Sequence, residues 1–301
     1  IELDRLQASL QALGADRVVI GHTPTTDREI QQRFAGRVYE VDTGMLHNYY
    51  GGEGHALVIS GDTVRVVGED SVESIAPEAH PRRVGARPGG KLSAAELERL
   101  LAGGEVSAED KVLRDGSIVS VAHDGDRVRA VFRKRAGKNF YPEVAAYRLD
   151  LLLELGMVPV AVVREVEGMP GSLQFLPDKI LNEEQRAASG QGASAYCSLT
   201  DQWPVMYVFD SLIYNEGRSR DRMLYSTDIW QLLLVGHEKA FATKKGRPRH
   251  LKQVPLAVNG AWESALLALD EATIEQTLGD VLDTRRQRAL LARRDELLAE
   301  L

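Results

Sequence analysis

Residues 209–241 read FDSLIYNEGRSRDRMLYSTDIWQLLLVGHEKAF. Tyr207 to Tyr214 is an apolar run that suits a buried helix or strand. A polar loop follows, carrying Asn215, Glu216, Gly217, Arg218, Asp221 and Arg222. Leu224 to Val235 has the pattern of a hairpin, with Asp228 near its turn, and Gly236 and His237 come directly after it.

Working upstream, Val158 to Val163 is a β-branched strand, and residues 141–155 form a helix with Val144, Tyr147, Leu151 and Leu155 on one face. Ser117–Val121 and Arg127–Phe132 pair across His123-Asp124-Gly125-Asp126, and 93–101 is a helix. The second strand runs into Arg133, Lys134, Arg135 and Lys138, with Glu143 about ten residues on in the next helix. Cations at a strand end, paired with a helical carboxylate, could hold nucleotide phosphates. The alternative is a solvated basic turn. Residues 181–200 are polar and small and suggest an insertion, while 261–301 is helical throughout.

The segments AVFRKR (130–135) and FYPEVAAYRLDLLLELGMVP (140–159), followed by a strand and a Gly171-Ser172 turn, resemble the small lobe of atypical protein and lipid kinases. The 209–241 segment resembles their catalytic and metal-binding loops, which read Asn-x-Asp-Arg-x-x-x-Asn and then, after a hairpin, hydrophobic-Asp-His. Asn215, Arg218 and His237 match that arrangement. Gly217 stands for the catalytic Asp, Arg222 for the metal-binding Asn and Gly236 for the metal-binding Asp. Arg133 takes the place of the phosphate-binding Lys, with Lys134 beside it, and Glu143 matches the partner carboxylate. The resemblance implies a pseudokinase that could bind ATP as a sensor or scaffold and lacks a metal clamp. An active kinase with relocated ligands (Glu216, Asp221, Glu238) and a pure interaction module are the alternatives.

Residues 1–68 differ in kind. A helix over 2–13 precedes a strand, Arg17–Ile20, that ends in Gly21-His22-Thr23-Pro24. Another strand, Val38–Val41, leads to Asp42-Thr43-Gly44, and a hairpin spans 56–67. An imidazole on a loop at a strand end can be a metal ligand or a plain turn residue. VVIGHTPT (18–25), YEVDTGM (39–45), NYYGG (48–52) and ALVISGDTVRVV (56–67) resemble the final portion of calcineurin-like metallophosphoesterases. That resemblance makes His22 a ligand to one of two bridged metal ions. The family's earlier Asp and His motifs are absent from this chain, so it implies a hydrolase parent whose N-terminal phosphoesterase half lies upstream or on a separate chain. A divalent pair, Mn or similar, would bind only with that half, and this chain alone would be inactive. The fold class expected is α+β: a sheet fragment of a metallophosphoesterase sandwich (1–68), a Pro- and Gly-rich linker (69–91) and a two-lobed kinase-like domain (92–301). Its small lobe would span about 105–163 and its large lobe about 164–301.

The 301 residues carry a net charge of −7 and one cysteine, Cys197. That balance argues against a general nucleic-acid binder, and a lone thiol suits a reducing cytoplasm. No apolar run reaches the roughly 18–20 residues that span a membrane. The basic segment Lys239, Lys244, Lys245, Arg247, Arg249 fits either a phosphate or acidic partner, or a solvated loop. Trp203, Trp230 and Trp262 suit core packing, and His47 and His55 suit the surface.

Overall fold

The computed structural model describes every residue except 1, 23, 26–27, 76–91, 114–115, 192–198, 228–229, 257–259 and 301. The chain is a mixed α+β protein in two units, Ile1–Arg82 and Arg83–Leu301. Cys197 and Asp228 lie outside the described residues.

The first unit opens with α1 (Glu2–Leu13), which stops at Gly14 in the left-handed region. A glycine there carries no Cβ penalty and frees the chain to turn. Strand β1 (Val18–Ile20) pairs in parallel with β3 (Val38–Glu40), and β2 (Gln31–Arg33) adds antiparallel on the far side of β3. The hairpin forms as β4 (Ala56–Ser60) and β5 (Thr63–Val67). It gains a third strand, β6 (Val72–Ser74), inside the stretch expected to be linker. Val72 to Ser74 follow β5 after a short turn, so they can take up its free hydrogen-bonding edge despite a polar composition. The rest of the expected linker, 76–91, lies outside the described residues. Tyr39, Val38, Val64 and Val66 are buried, whereas Leu13, Val19, Met45, Leu46 and Tyr49 are exposed.

The second unit begins with α3 (Ala94–Gly103), started by a capping box between Ser93 and Glu96; a short helix, α2 (His47–Tyr50), lies in the first unit. Five antiparallel strands follow: β7 (Glu105–Leu113), β8 (Gly116–His123), β9 (Asp126–Lys134), β10 (Ala161–Val166) and β11 (Met169–Leu176), in the order β10-β11-β9-β8-β7. Helix α4 (Pro142–Leu152) connects β9 to β10, with Pro142 in its first turn, where no backbone donor is needed. It is buried on nearly all sides rather than on one face. Gly171 and Ser172, expected at a turn, lie inside β11, and the turn is at Glu167-Gly168. Since β11 sits between β10 and β9, the sheet runs to Leu176, and the boundary expected at 163 falls inside β10. Arg164 ties the sheet to α3 by donating to the carbonyls of Leu101 and Gly104, both at 2.8 Å.

The expected insertion is ordered over 180–191. Ile180–Asn182 is β12, and Glu183–Ser189 is α5, begun by an Asn182/Gln185 capping box. After α6 (Leu199–Leu212), the second hairpin forms as β13 (Met223–Ser226) and β14 (Leu232–Leu234), with β12 pairing against β13. The C-terminal stretch expected to be helical throughout forms three helices among the described residues: α7 (Gly260–Leu267), α8 (Glu271–Leu278) and α9 (Thr284–Leu298). Asp270 and Asp283 cap the last two, accepting from Thr273 N and Arg286 N. No described helix is long and apolar enough to cross a membrane.

Arg293 of α9 is 1% exposed and donates to three carbonyls: Leu212 (2.7 Å), Ala242 (2.9 Å) and Lys244 (2.7 Å). Desolvation lowers its pKa to about 10, against the opposing pull of Glu296 and Tyr214, so it stays charged at neutral pH. All three tryptophans lie in the second unit, so their fluorescence reports its unfolding. Arg293→Met leaves three carbonyls without this donor. It should lower the second unit's stability by about 3 kcal/mol, read as a lower urea midpoint.

Candidate functional site

Glu143, in the first turn of α4, is 1% exposed. Its Oε1 accepts from the backbone N of His237 at 2.9 Å, and its Oε2 lies 2.8 Å from His237 Nδ1. Arg133, at the end of β9, places Nε 3.5 Å from Oε1. Burial by itself would raise the Glu143 pKa. The Arg133 charge and the two His237 hydrogen bonds outweigh it and hold the carboxyl at about 2. One carboxylate therefore joins the end of β9 to the loop after β14.

His237 extends the connection. Arg218 Nη2 lies 3.4 Å from its Nε2. A guanidinium can only donate, so Nε2 accepts and Nδ1 carries the hydrogen given to Glu143. Arg218 in turn grips Asp210 of α6 with two bonds, at 2.7 and 2.9 Å. It also donates to the carbonyls of Arg222 (3.0 Å) and Val235 (2.8 Å), pinning both loops. Asn215, fully buried, donates to Asp210 Oδ1 at 3.0 Å and accepts from Gly217 N at 2.9 Å. The three residues that match the kinase pattern thus build the scaffold of the site. Asp210 completes it. It stands eight residues before Arg218, and an acid in the apolar run FDSLIY was the signal that it needed a partner inside.

Gly217, Arg222 and Gly236 meet in space. A Cβ on Gly217 would stand 2.9 Å from Arg222 Nη1, and one on Gly236 would stand 2.7 Å from Arg222 Cδ. Gly236 also has φ +74°, a conformation that strains other residues. The Arg222 guanidinium donates to the Gly217 carbonyl at 3.2 Å and pairs with Glu238. The side chain of Arg222 therefore lies across both glycines.

Glu238 lines a cavity of about 230 Å³ together with Arg133, Lys134, Tyr141, Glu143 and Ser172. Nε and Nη1 of Arg133 are buried there without a hydrogen-bond acceptor. Lys134 is exposed, and Arg133 is the cation that meets Glu143. The carboxylates weighed as relocated metal ligands point to other partners. Glu216 pairs with Lys244 at 3.2 Å, Asp221 accepts from Ser219 Oγ at 2.5 Å, and Glu238 faces Arg222. The residues around Gly217, Arg222 and Gly236 do not fit a divalent ion: hard cations need oxygen ligands, and a fixed guanidinium charge lies there instead.

In the first unit, His22 is exposed, with φ +82°, just beyond β1, and Asp42 follows β3. The two strands are parallel neighbours, so both residues stand at adjacent carboxyl ends. Asp42 Oδ1 accepts from Gly44 N at 2.9 Å. Among the described residues no group of three or more His, Cys, Asp or Glu is arranged to hold a metal ion.

No protein-family model matches this sequence, and no curated protein matches it. Among solved structures, the chain is similar to the crystal structure of a Helicobacter pylori proinflammatory kinase, CtkA. The identity is 10% and the TM-score 0.41, over 67% of this chain and 94% of that one.

Glu143 sets an acid limit on the second unit. Its folded pKa, about 2, is below the ordinary 4.5, so its contribution is complete above pH 4.5 and fades as pH falls toward 2. Glu143→Gln leaves Arg133 buried without its countercharge and should cost about 3–5 kcal/mol at neutral pH. It should also flatten the loss of stability between pH 4.5 and 2. Urea unfolding by tryptophan fluorescence at stepped pH checks both effects, and an unchanged acid slope would remove Glu143 as their source.

Proposed function

We propose that residues 92–301 form a kinase-like domain that takes a phosphate-bearing nucleotide and does not transfer its phosphate. The observation that carries this is the seating of Arg222 across Gly217 and Gly236. Phosphoryl transfer depends on metal ions that neutralise the developing charge and on a carboxylate that accepts the nucleophile's proton. Glycine offers neither group, and Arg222 repels a cation at that point. Arg133 and Lys134 remain to meet phosphate oxygens, and Arg133 Nε and Nη1 have no other acceptor. An output as sensor or scaffold follows from binding alone, because the Arg133–Glu143–His237 connection links the lobes whose spacing a ligand would set.

Titration calorimetry with ATP, with and without Mg²⁺, tests this. Saturable binding that Mg²⁺ strengthens by less than about tenfold, or 1.4 kcal/mol, is the expected result. A radiolabel assay should show no phosphate moved to any acceptor. Binding that requires Mg²⁺, with label incorporated and lost in Glu238→Gln, would restore the active-kinase alternative. Absence of ATP binding would leave an interaction module.

We propose that the first unit supplies His22 to a two-metal phosphoesterase site completed by polypeptide outside residues 1–301. The placement of His22 and Asp42 at adjacent strand ends supports this. A two-metal site clamps both the attacking and the leaving oxygen, which a single imidazole cannot do. The chain by itself should therefore not hydrolyse a generic phosphate monoester with Mn²⁺. Hydrolysis that disappears in His22→Ala would overturn the requirement for outside residues.

A further inference from the structure

Lys244 to Lys252 reads KKGRPRHLK, with five lysines and arginines and no acid in nine residues. The fold divides its charges into two groups. Lys244 is committed to Glu216 and lies over the Tyr214 ring at 5.4 Å. Arg247 donates to the Val254 carbonyl at 3.0 Å and pairs with Glu300. Arg249, His250 and Lys252 are exposed and have no carboxylate partner among the described residues. These three, with Tyr214 and Gln253, line a cavity of about 500 Å³.

The cavity has a fixed backbone. Arg249–Leu251 is a turn of 3-10 helix whose third residue, Leu251, is 2% exposed and anchors it in the core. Leu251 N donates to Pro248 O at 2.9 Å, and Val254 N to Leu251 O at 3.2 Å. Tyr214 forms the inner wall, 6% exposed, and the Arg293 guanidinium lies 5.7 Å from its ring. Arg293 Nη2 is buried without a hydrogen-bond acceptor, which adds a positive charge beneath that wall.

The size falls within the roughly 300–1,000 Å³ of small-molecule sites. The lining holds two permanent cations, a histidine and an amide, and no carboxylate, so it repels metal ions and attracts anions. An arginine fork beside an ammonium suits the oxygens of a phosphoryl group. Single-stranded nucleic acid would want an exposed aromatic face on which to stack, and the Tyr214 ring is buried.

We propose that this cavity is a second anion site, which takes a small phosphoryl-bearing molecule through Arg249 and Lys252. It stands apart from the cleft of Arg133 and Glu143 and does not rest on the kinase-like assignment. Its occupant would bear on the loop before Gly217, since Tyr214 precedes Asn215 and Lys244 holds Glu216.

The test is calorimetric titration of the full chain with pyrophosphate and with a hexose phosphate, with sulfate as the control. The expected result is saturable binding of a phosphoryl compound, weaker by at least about tenfold in Arg249→Ala/Lys252→Ala and kept in Lys134→Ala, whose exposed side chain lines the other cleft. Which of the two compounds binds tells an inorganic from an organic source. Both substituted side chains are exposed, so unchanged tryptophan fluorescence should show that the variant folds. No saturable binding, equal binding of sulfate, or binding indifferent to the double substitution would each overturn the site. Loss of binding in Lys134→Ala alone would move the anion to the cleft and overturn it as well, whereas failure of ATP to bind the cleft would leave it standing.

Discussion

A buried carboxylate is tolerable only if its charge is answered on every side, and Glu143 imposes that condition on the whole second unit. Its two oxygens take a backbone N–H and a ring nitrogen from His237 and face the guanidinium of Arg133. Arg133 on its strand lies close in sequence to Glu143 on its helix, whereas the loop of His237 is 94 residues beyond Glu143. Satisfying one carboxylate thus brings distant segments of the second unit into a single arrangement. The sheet order, with β9 at its centre, delivers Arg133 to that point, and the hairpin of β13 and β14 delivers His237.

The same solution recurs outward. Asp210, 1% exposed, is answered by Arg218 and Asn215, and Arg218 then has donors left for two loop carbonyls. Asp150, also 1% exposed, closes the turn after α4 by accepting from Gly156, Met157 and Val158. In each case the interior polar group fixes an irregular segment that hydrophobic burial alone would leave undetermined. Such networks are costly when incomplete, which is why their members act together.

Much of this was legible from the sequence, for reasons that differ by element. The hairpin at 224–235 and the pair of strands around His123-Asp126 follow from alternation bounded by turn residues. The meeting of Gly217, Arg222 and Gly236 was anticipated from their order along a resembling pattern. Gly171-Ser172 misled, because a Pro-Gly-Ser run reads as punctuation. Here Gly171 is the position where β11 crosses close to the backbone of Arg133 and the ring of Phe132. The polar segment from 181 hid a helix whose start was marked, since Asn182 and Gln185 have the spacing of a capping box. The C-terminal helical run concealed its breaks because Asp270 and Asp283 look like ordinary surface acids. Only their bonds to Thr273 N and Arg286 N make them caps. The link from Glu143 to His237 has no local signature, because its partners are brought together only by the fold.

The packing of Arg222 over the two glycines also makes the three positions interdependent. A side chain at 236 would meet the Arg222 aliphatic stem and a backbone conformation unsuited to it, so that glycine can be replaced only if Arg222 moves or changes. A smaller residue at 222 would open that space and would also strip Glu238 of its partner. At 217 the neighbour is the movable tip of the same side chain, so the tolerance of that position follows where the guanidinium rests. Substitutions at the three sites should therefore be epistatic, because what any one of them can accept is set by Arg222.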